Sequence, residues 1–367
     1  MGKITIGNNT VKTSNRVESL DYLRGLMALS VVIYHYVSWS GSSGLLGSEH
    51  ILGRLGVYAV SSFYVLSGLS LAYVYDGTIN NAKSAMSFGI KRVFRIAPLF
   101  WVSITLSLMQ RYLSNHDFIF PTYEAILNYT LTFGFISPTS YFSTGAWSIG
   151  NEMVFYAILC IAYLLSVKIK YLMNILFLVS AISWLYFAFF LFDKEIPLAE
   201  QWGTYINPFN QLFFFMSGVI SYRIIKREKL KKNNTTILLC ALVSAFVFCF
   251  FPAQGDSIAI NYGVTRVVLS LSCILFIVCV YIADVKIKNT AFISLEILGQ
   301  ISYSIYLLHP IVADIWFALL KKAHIKYNIP YVYALSFATV IVVGYISYRL
   351  LEKPLMIAGS KLAKSIN

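Results

Sequence analysis

Charge is scarce in this 367-residue sequence. Only 12% of its residues are Asp, Glu, Lys or Arg, while 58% are apolar, which excludes an ordinary soluble domain. The little charge present leans one way, with 29 Lys and Arg against 16 Asp and Glu. That excess is spread over many short loops instead of forming one patch, so a nucleic-acid partner is not expected. Cysteine pairs at disulfide or metal-ligand spacing are missing too. Cys160, Cys240, Cys249, Cys273 and Cys279 all fall in apolar stretches and read as packing residues, with no metal site expected. Internal repeats, low-complexity tracts and any polar stretch the size of a soluble domain are also absent.

What is abundant is long apolar sequence. Ten stretches are long enough to span a bilayer: roughly 20–40, 57–76, 95–113, 147–167, 171–192, 207–225, 236–252, 264–284, 299–320 and 331–352. Strands exposed to lipid cannot satisfy their backbone, so the expected fold is all-α: a polytopic membrane helical bundle of about ten transmembrane helices. The expected organisation is an N-terminal tail at 1–19, a membrane domain at 20–352 and a C-terminal tail at 353–367. The first span does not read as a cleaved signal peptide, because Arg24 interrupts its apolar run.

Basic residues set the orientation. Lys3, Lys12, Arg16, Lys83, Lys91, Arg92, Arg95, Lys168, Lys170, Arg223, Lys226, Arg227, Lys229, Lys231, Lys232, Lys286, Lys288, Arg349, Lys353, Lys361 and Lys364 fall on one side of the alternating spans. Arg54, Arg111, Lys194, Arg266, Lys321, Lys322 and Lys326 fall on the other. The positive-inside rule then places both termini in the cytoplasm. The longest outer segment runs from Ser114 to Ala146. Its apolar part, Ala125 to Ile136, is too short to span and reads as interfacial or re-entrant. The Ser/Thr/Gly-rich stretch Ser137 to Gly145 is either a roof over an outer opening or an ordinary solvated connection.

Polar residues inside these spans mark the candidate chemistry. Arg24 and His35 are eleven residues apart in the first span. At about 100° per residue they share one face, about 16 Å apart along the axis. Arg24 lies near the cytoplasmic end, where it can pair with Asp21 or Glu352 or bind an anion. His35 lies in the outer half, where a neutral imidazole in an apolar wall serves as a general base, although an interhelical hydrogen bond is the plainer use. Ser148, Glu152 and Tyr156 recur every four residues after Trp147 and share a face. Counted from the outer end of its span, Glu152 matches the depth of His35 and is expected to orient it. Arg92 and Arg95 are helix-surface neighbours that suit phosphates, or else anchor to lipid head groups. Ser302, Tyr303, Tyr306 and His309 line a late span, where Pro310 frees a backbone carbonyl one turn back. Glu352-Lys353-Pro354 reads as a helix stop.

Taken together, these residues resemble the acyltransferase-3 family of integral membrane acyltransferases over nearly the whole chain. Arg24 and His35 match its Arg-x10-His signature, and Phe63-Tyr64-Val65-Leu66-Ser67-Gly68 looks like its second-span motif. Arg92 and Arg95 are similar to its Arg-x-x-Arg element. Trp147, Ser148, Glu152, Phe155 and Tyr156 match its Trp-Ser-x-x-x-Glu-x-x-Phe-Tyr pattern. Ser302, Tyr303, Tyr306, Leu307 and His309 match its late run, and Glu352-Lys353-Pro354 its closing triplet. Gly150-Asn151 departs from the more usual Ser-Val, a change expected to reshape the acceptor side. No soluble hydrolase-like domain of the kind some relatives append is expected, so transfer is expected to finish in the membrane unit or on a partner.

The resemblance implies an O-acyltransferase of a bacterial cytoplasmic membrane. It would move an acetyl (acyl) group from cytoplasmic acyl-CoA to a hydroxyl of an extracytoplasmic or lipid-linked polysaccharide such as O-antigen or capsule. Acetyl-CoA enters as donor substrate and no bound cofactor is expected; the other partners are the glycan acceptor and membrane lipids. Arg24, Arg92 and Arg95 would hold the CoA phosphates, with His35 and Glu152 catalytic. Trp147, Ser148, Ser302, Tyr303, Tyr306 and His309 would line the acceptor cavity. Direct transfer and an acyl-enzyme both remain open. A lipid-linked glycan transporter is the rival class and predicts inverted repeats, which the sequence does not show. A non-catalytic scaffold would leave the Arg/His/Glu set without a use.

Overall fold

Lipid offers a backbone no hydrogen-bond partner, and this chain answers with helices throughout. The computed structural model describes residues 17–40, 46–114, 117–228, 234–284 and 290–366, and among these no strand occurs. Lys3, Lys12, Arg16, Lys229, Lys231, Lys232, Lys286 and Lys288, with nearly all of the tail at 1–19, lie outside the described residues. In chain order the helices are α1 (Glu18–Ser40), α2 (Ile51–Tyr75), α3 (Ala82–Ser114), α4 (Thr122–Tyr129), α5 (Phe133–Ile136), α6 (Trp147–Ser166) and α7 (Leu172–Tyr186). There follow α8 (Trp202–Tyr205), α9 (Pro208–Glu228), α10 (Asn234–Phe250), α11 (Gly263–Ala283), α12 (Thr290–Gln300), α13 (Ser302–Lys322), α14 (Ile329–Ser347) and α15 (Lys353–Ile366).

All ten stretches expected to span are helical. Among the described residues seven of them are long and apolar enough to cross a membrane: α2, α3, α6, α7 with the π turn Phe187–Leu191 that follows it, α11, α13, and α14 running on into α15. The other three, α1, α9 and α10, pack along these. α1 lies against α2, α12 and α13; α9 lies along α2 and α7; α10 lies along α11. The chain is an integral membrane protein.

The tightest crossing joins α2 to α9. A Cβ on Gly68 would stand 2.0 Å from the Phe215 carbonyl oxygen, and one on Gly218 would stand 2.1 Å from that of Val65. Two backbones meet there with no side chain between them, as in other small-residue contacts in membranes.

The structure corrects two boundaries that bear on the site. α3 begins at Ala82, thirteen residues before the expected span. Its first turns are polar, so hydropathy does not register them; at 33 residues it is about 50 Å long and outreaches the hydrocarbon core. Glu352-Lys353-Pro354 does not stop a helix. A π turn at Tyr348–Glu352 joins α14 to α15, and Pro354 sits in the first turn of α15, where a missing N–H is tolerated. The expected C-terminal tail is therefore a helix to Ile366, packed along the projecting part of α3 with Gly359 against Phe94.

Candidate active site

Arg24 is held by two neighbours. Its Nη1 donates to Asp21 Oδ1 at 3.0 Å, one turn earlier on α1, and its Nη2 donates to Ser70 Oγ on α2 at 2.6 Å. The side chain is 21% exposed, and that exposure opens on a cavity of about 400 Å³, a size suited to a small-molecule ligand. Arg92 and Arg95 line the same cavity. Neither forms an ion pair with a carboxylate among the described residues. Arg92 is instead surrounded by rings, 5.8 Å from the centroids of Tyr75 and Phe88 and 6.0 Å from that of Tyr156, and its buried Nε has no acceptor. The structure thus gathers the three expected phosphate-binding cations into one chamber.

Glu152 belongs to this chamber and not to His35. Tyr156 Oη donates to Glu152 Oε2 at 2.7 Å, and the charges that face this carboxylate are Arg95, Arg92 and Arg24. The expected match in depth between Glu152 and His35 fails because α6 does not start at the outer surface. The stretch Ser137–Gly145 dips into the bundle, where Gly145 O accepts a hydrogen bond from Tyr306 Oη at 2.9 Å. Trp147 consequently sits edge-on to Tyr64, midway along α2, and Tyr156 Oη lies 3.3 Å from Ser67 Oγ, one turn from the partner of Arg24. One and a half turns down such a helix, Glu152 reaches the level of Arg24. The stretch 137–146 is accordingly a packed plug, with Phe142 and Ser143 buried and Phe142 O accepting from Arg111 Nη2 at 2.9 Å. The apolar segment before it forms α4 and α5, which pack on α3 and α6.

The Gly150-Asn151 departure has a structural use at this point. A Cβ on Gly150 would stand 2.5 Å from Phe133 Cε2, so glycine lets α5 lie directly on α6. Asn151 Nδ2 donates to Ile206 O at 3.0 Å and so ties α6 to the segment before α9.

Three of the four late-span residues close the cavity; His309, fully buried, does not line it. Ser302, Tyr303 and Tyr306 line it, with Tyr303 Oη donating to Ile96 O at 2.8 Å. Ser148 Oγ lies 3.0 Å from Tyr306 Oη at its inner end. Trp147 packs behind this wall, against Tyr64, Trp202 and Tyr205, and does not line the cavity. Glu352 does not pair with Arg24, as expected of it; it accepts from Ser304 Oγ and faces Arg95.

His35 finds its partner on α13. His35 Nδ1 lies 2.8 Å from His309 Nε2, with the ring planes within 8° of each other. His309 is fully buried, its Nδ1 is 2.7 Å from Tyr306 O, and its carbonyl accepts from Tyr36 Oη at 2.7 Å. His35 is half-buried, and the indole of Trp39 lies parallel to it within 4°. The side chain of Tyr306 ends the cavity while its carbonyl holds His309. The cation chamber and the histidine pair are therefore separated by one turn of α13.

Residues that the motif reading left without a role are Ser67, Ser70 and Tyr75. The signal for two of them was present, since Phe63, Ser67, Ser70 and Val74 recur at helical spacing on one face of α2, and all four line the cavity.

A protein of Acidianus two-tailed virus, named for a proposed acetyltransferase activity, is 26% identical over 84% of this chain and 86% of its own length. A protein of Staphylococcus aureus (strain COL), named for a proposed O-acetyltransferase activity, is 24% identical over 97% of this chain and 60% of its own. The O-acetyltransferase OatA of Staphylococcus aureus (strain NCTC 8325 / PS 47) is 25% identical over 93% of this chain and 57% of its own. The chain therefore spans under two thirds of the staphylococcal relatives. No solved structure matches it. A family model described as an acyltransferase domain matches residues 17–349, nearly the whole helical bundle, and the chain belongs to this acyltransferase-3 family of membrane proteins.

Proposed function

We propose that this protein is a membrane O-acetyltransferase that takes its acetyl (acyl) group from acyl-CoA on the cytoplasmic side. The acceptor is a hydroxyl of an extracytoplasmic or lipid-linked glycan, with a surface polysaccharide such as O-antigen or capsule the first candidate and a bacterial cytoplasmic membrane the setting. One observation carries the reading: Arg24, Arg92 and Arg95 converge on a cavity whose inner end lies one helical turn from the His35–His309 pair.

Arginine forks suit phosphate oxygens, and the positive-inside pattern of the basic loops supports a cytoplasmic side for this chamber. The nucleotide phosphates bind there, and the pantetheine arm runs inward past Glu152 and Tyr156 toward Tyr306. Glu152 offsets repulsion among the three cations and holds Tyr156 in place; it acts on the donor side. His35 is the general base for the acceptor hydroxyl. Its Nε2 takes the hydroxyl proton as the oxygen bonds to the thioester carbon. The carbon–sulfur bond breaks, and the departing thiolate takes the proton from Nε2.

The test is acetyl transfer by the purified full chain in nanodiscs, with isotope-labelled acetyl-CoA and glycans from the source membrane. Mass spectrometry should find the label on one sugar. Label that stays wholly on CoA, with every glycan unmodified, refutes the reading.

A further inference from the structure

The sequence Tyr306-Leu307-Leu308-His309-Pro310 builds more than a cavity wall. In a regular helix the Tyr306 carbonyl would accept from the N–H of residue 310, but proline has none. The orphaned carbonyl lies 2.7 Å from His309 Nδ1 instead. A carbonyl oxygen only accepts, so Nδ1 carries the hydrogen. His309 is fully buried and touches no carboxylate among the described residues, so its ring is neutral and its Nε2 bears a lone pair. That nitrogen lies 2.8 Å from His35 Nδ1, with the two rings nearly coplanar. His35 Nδ1 is therefore the donor. The remaining nitrogen of the half-buried His35 ring, Nε2, has no hydrogen-bond partner among the described residues.

We propose that His309 is a positioning residue: anchored by the carbonyl that Pro310 frees, it fixes His35 as the Nδ1–H tautomer and so presents Nε2 as the unprotonated nitrogen. The proposal rests on the acyl-transfer reading above for what Nε2 does, but not for the tautomer itself. Without an acceptor at His309, the two His35 tautomers compete and the reactive nitrogen is blocked part of the time. During transfer the His35 ring gains a proton at Nε2, keeps its Nδ1–H bond to His309 and is steadied by it. When the thiolate takes that proton the pair returns to its starting state. Trp39 and Tyr36 pack the two rings in register, through the parallel indole and the 2.7 Å bond to His309 O.

The experiment is nitrogen NMR of the full chain in nanodiscs, labelled with ¹⁵N-histidine and assigned with His35→Ala. His35 should show a protonated, pyrrole-type Nδ1 and an unprotonated, pyridine-type Nε2. The reverse pattern in the wild type overturns the proposal, whether or not acyl transfer is observed. His309→Phe keeps a ring without an acceptor; it should mix the His35 tautomers and lower turnover about 100-fold, the usual scale of a general base. His309→Gln places an acceptor oxygen near the Nε2 position and should recover turnover to within about tenfold of wild type. Equal losses in folded Phe and Gln variants mean a merely structural role and overturn the proposal. If His309→Phe does not fold, the wild-type spectrum decides alone. A wild type without any acyl transfer sinks the function above and leaves the tautomer to the same spectrum.

Discussion

Arg92 offers the sharpest quantitative test of the donor chamber. Its guanidinium is caged by Tyr75, Phe88 and Tyr156 at 5.8–6.0 Å and has no carboxylate partner among the described residues, so it is pre-positioned and ready for an anion. A hydrogen bond to a charged group contributes about 1.5–3 kcal/mol. At about 1.4 kcal/mol per decade, Arg92→Ala should weaken acetyl-CoA binding by about 10- to 150-fold. Arg92→Lys keeps a point charge but loses the fork and should fall between. The cation–ring contacts are already made in the free protein, so their loss appears mainly in stability and not in affinity. The assay is equilibrium dialysis of labelled acetyl-CoA against the full chain in nanodiscs, repeated with a donor lacking its 3′-phosphate. If Arg92 holds that phosphate, the shortened donor should bind wild type and Arg92→Ala equally, the signature of a coupled pair. If it holds the diphosphate, the variant should lose the same factor for both donors. Wild-type affinity in both Arg92→Ala and Arg95→Ala would refute the donor assignment.

Three further outcomes follow from the same geometry. Glu152→Gln removes the negative charge facing Arg24, Arg92 and Arg95, so acetyl-CoA should bind more tightly; weaker binding would mean that Glu152 acts elsewhere. Gly68→Ala forces a Cβ to within 2.0 Å of Phe215 O and should lower the melting temperature in detergent by an overpacking cost of about 1–3 kcal/mol, whereas wild-type melting would contradict the α2–α9 contact. Gly150→Ser should push α5 off α6, visible as faster hydrogen exchange over 133–146; unchanged exchange would show that the contact is looser than described.

Much of the architecture was legible because lipid leaves a chain few choices. A run of about twenty apolar residues in a bilayer becomes a helix, and all ten such runs did. The Arg24–Asp21 pair was legible from three-residue spacing; alternating spans put Arg24, Arg92 and Arg95 toward one side, and only the family resemblance joins the three in one site. The depth of Glu152 is not legible, because the span that carries it begins inside the bundle and not at the outer surface. Nothing in the composition of Ser137–Gly145 states that it dips until Tyr306 is seen bonded to Gly145. The His35–His309 pair joins residues 274 apart, a distance that no helical period bridges. Depth alone suggests Arg24 as the partner of Glu352, but depth does not fix which neighbour a side chain faces, and it faces Ser304 and Arg95. Pro354 reads as a stop because a sequence does not announce the π turn that carries the helix past it.

Under the proposed function, donor binding and the transfer base are separate parts of one bundle, divided by a turn of α13. The direct measurement compares wild type and His35→Ala, both folded in nanodiscs, for acetyl-CoA affinity and for acetyl transfer to the glycan acceptor. Unchanged affinity is expected, with transfer at least about 100-fold slower, the loss expected of a general base. Transfer at the wild-type rate by folded His35→Ala would contradict it.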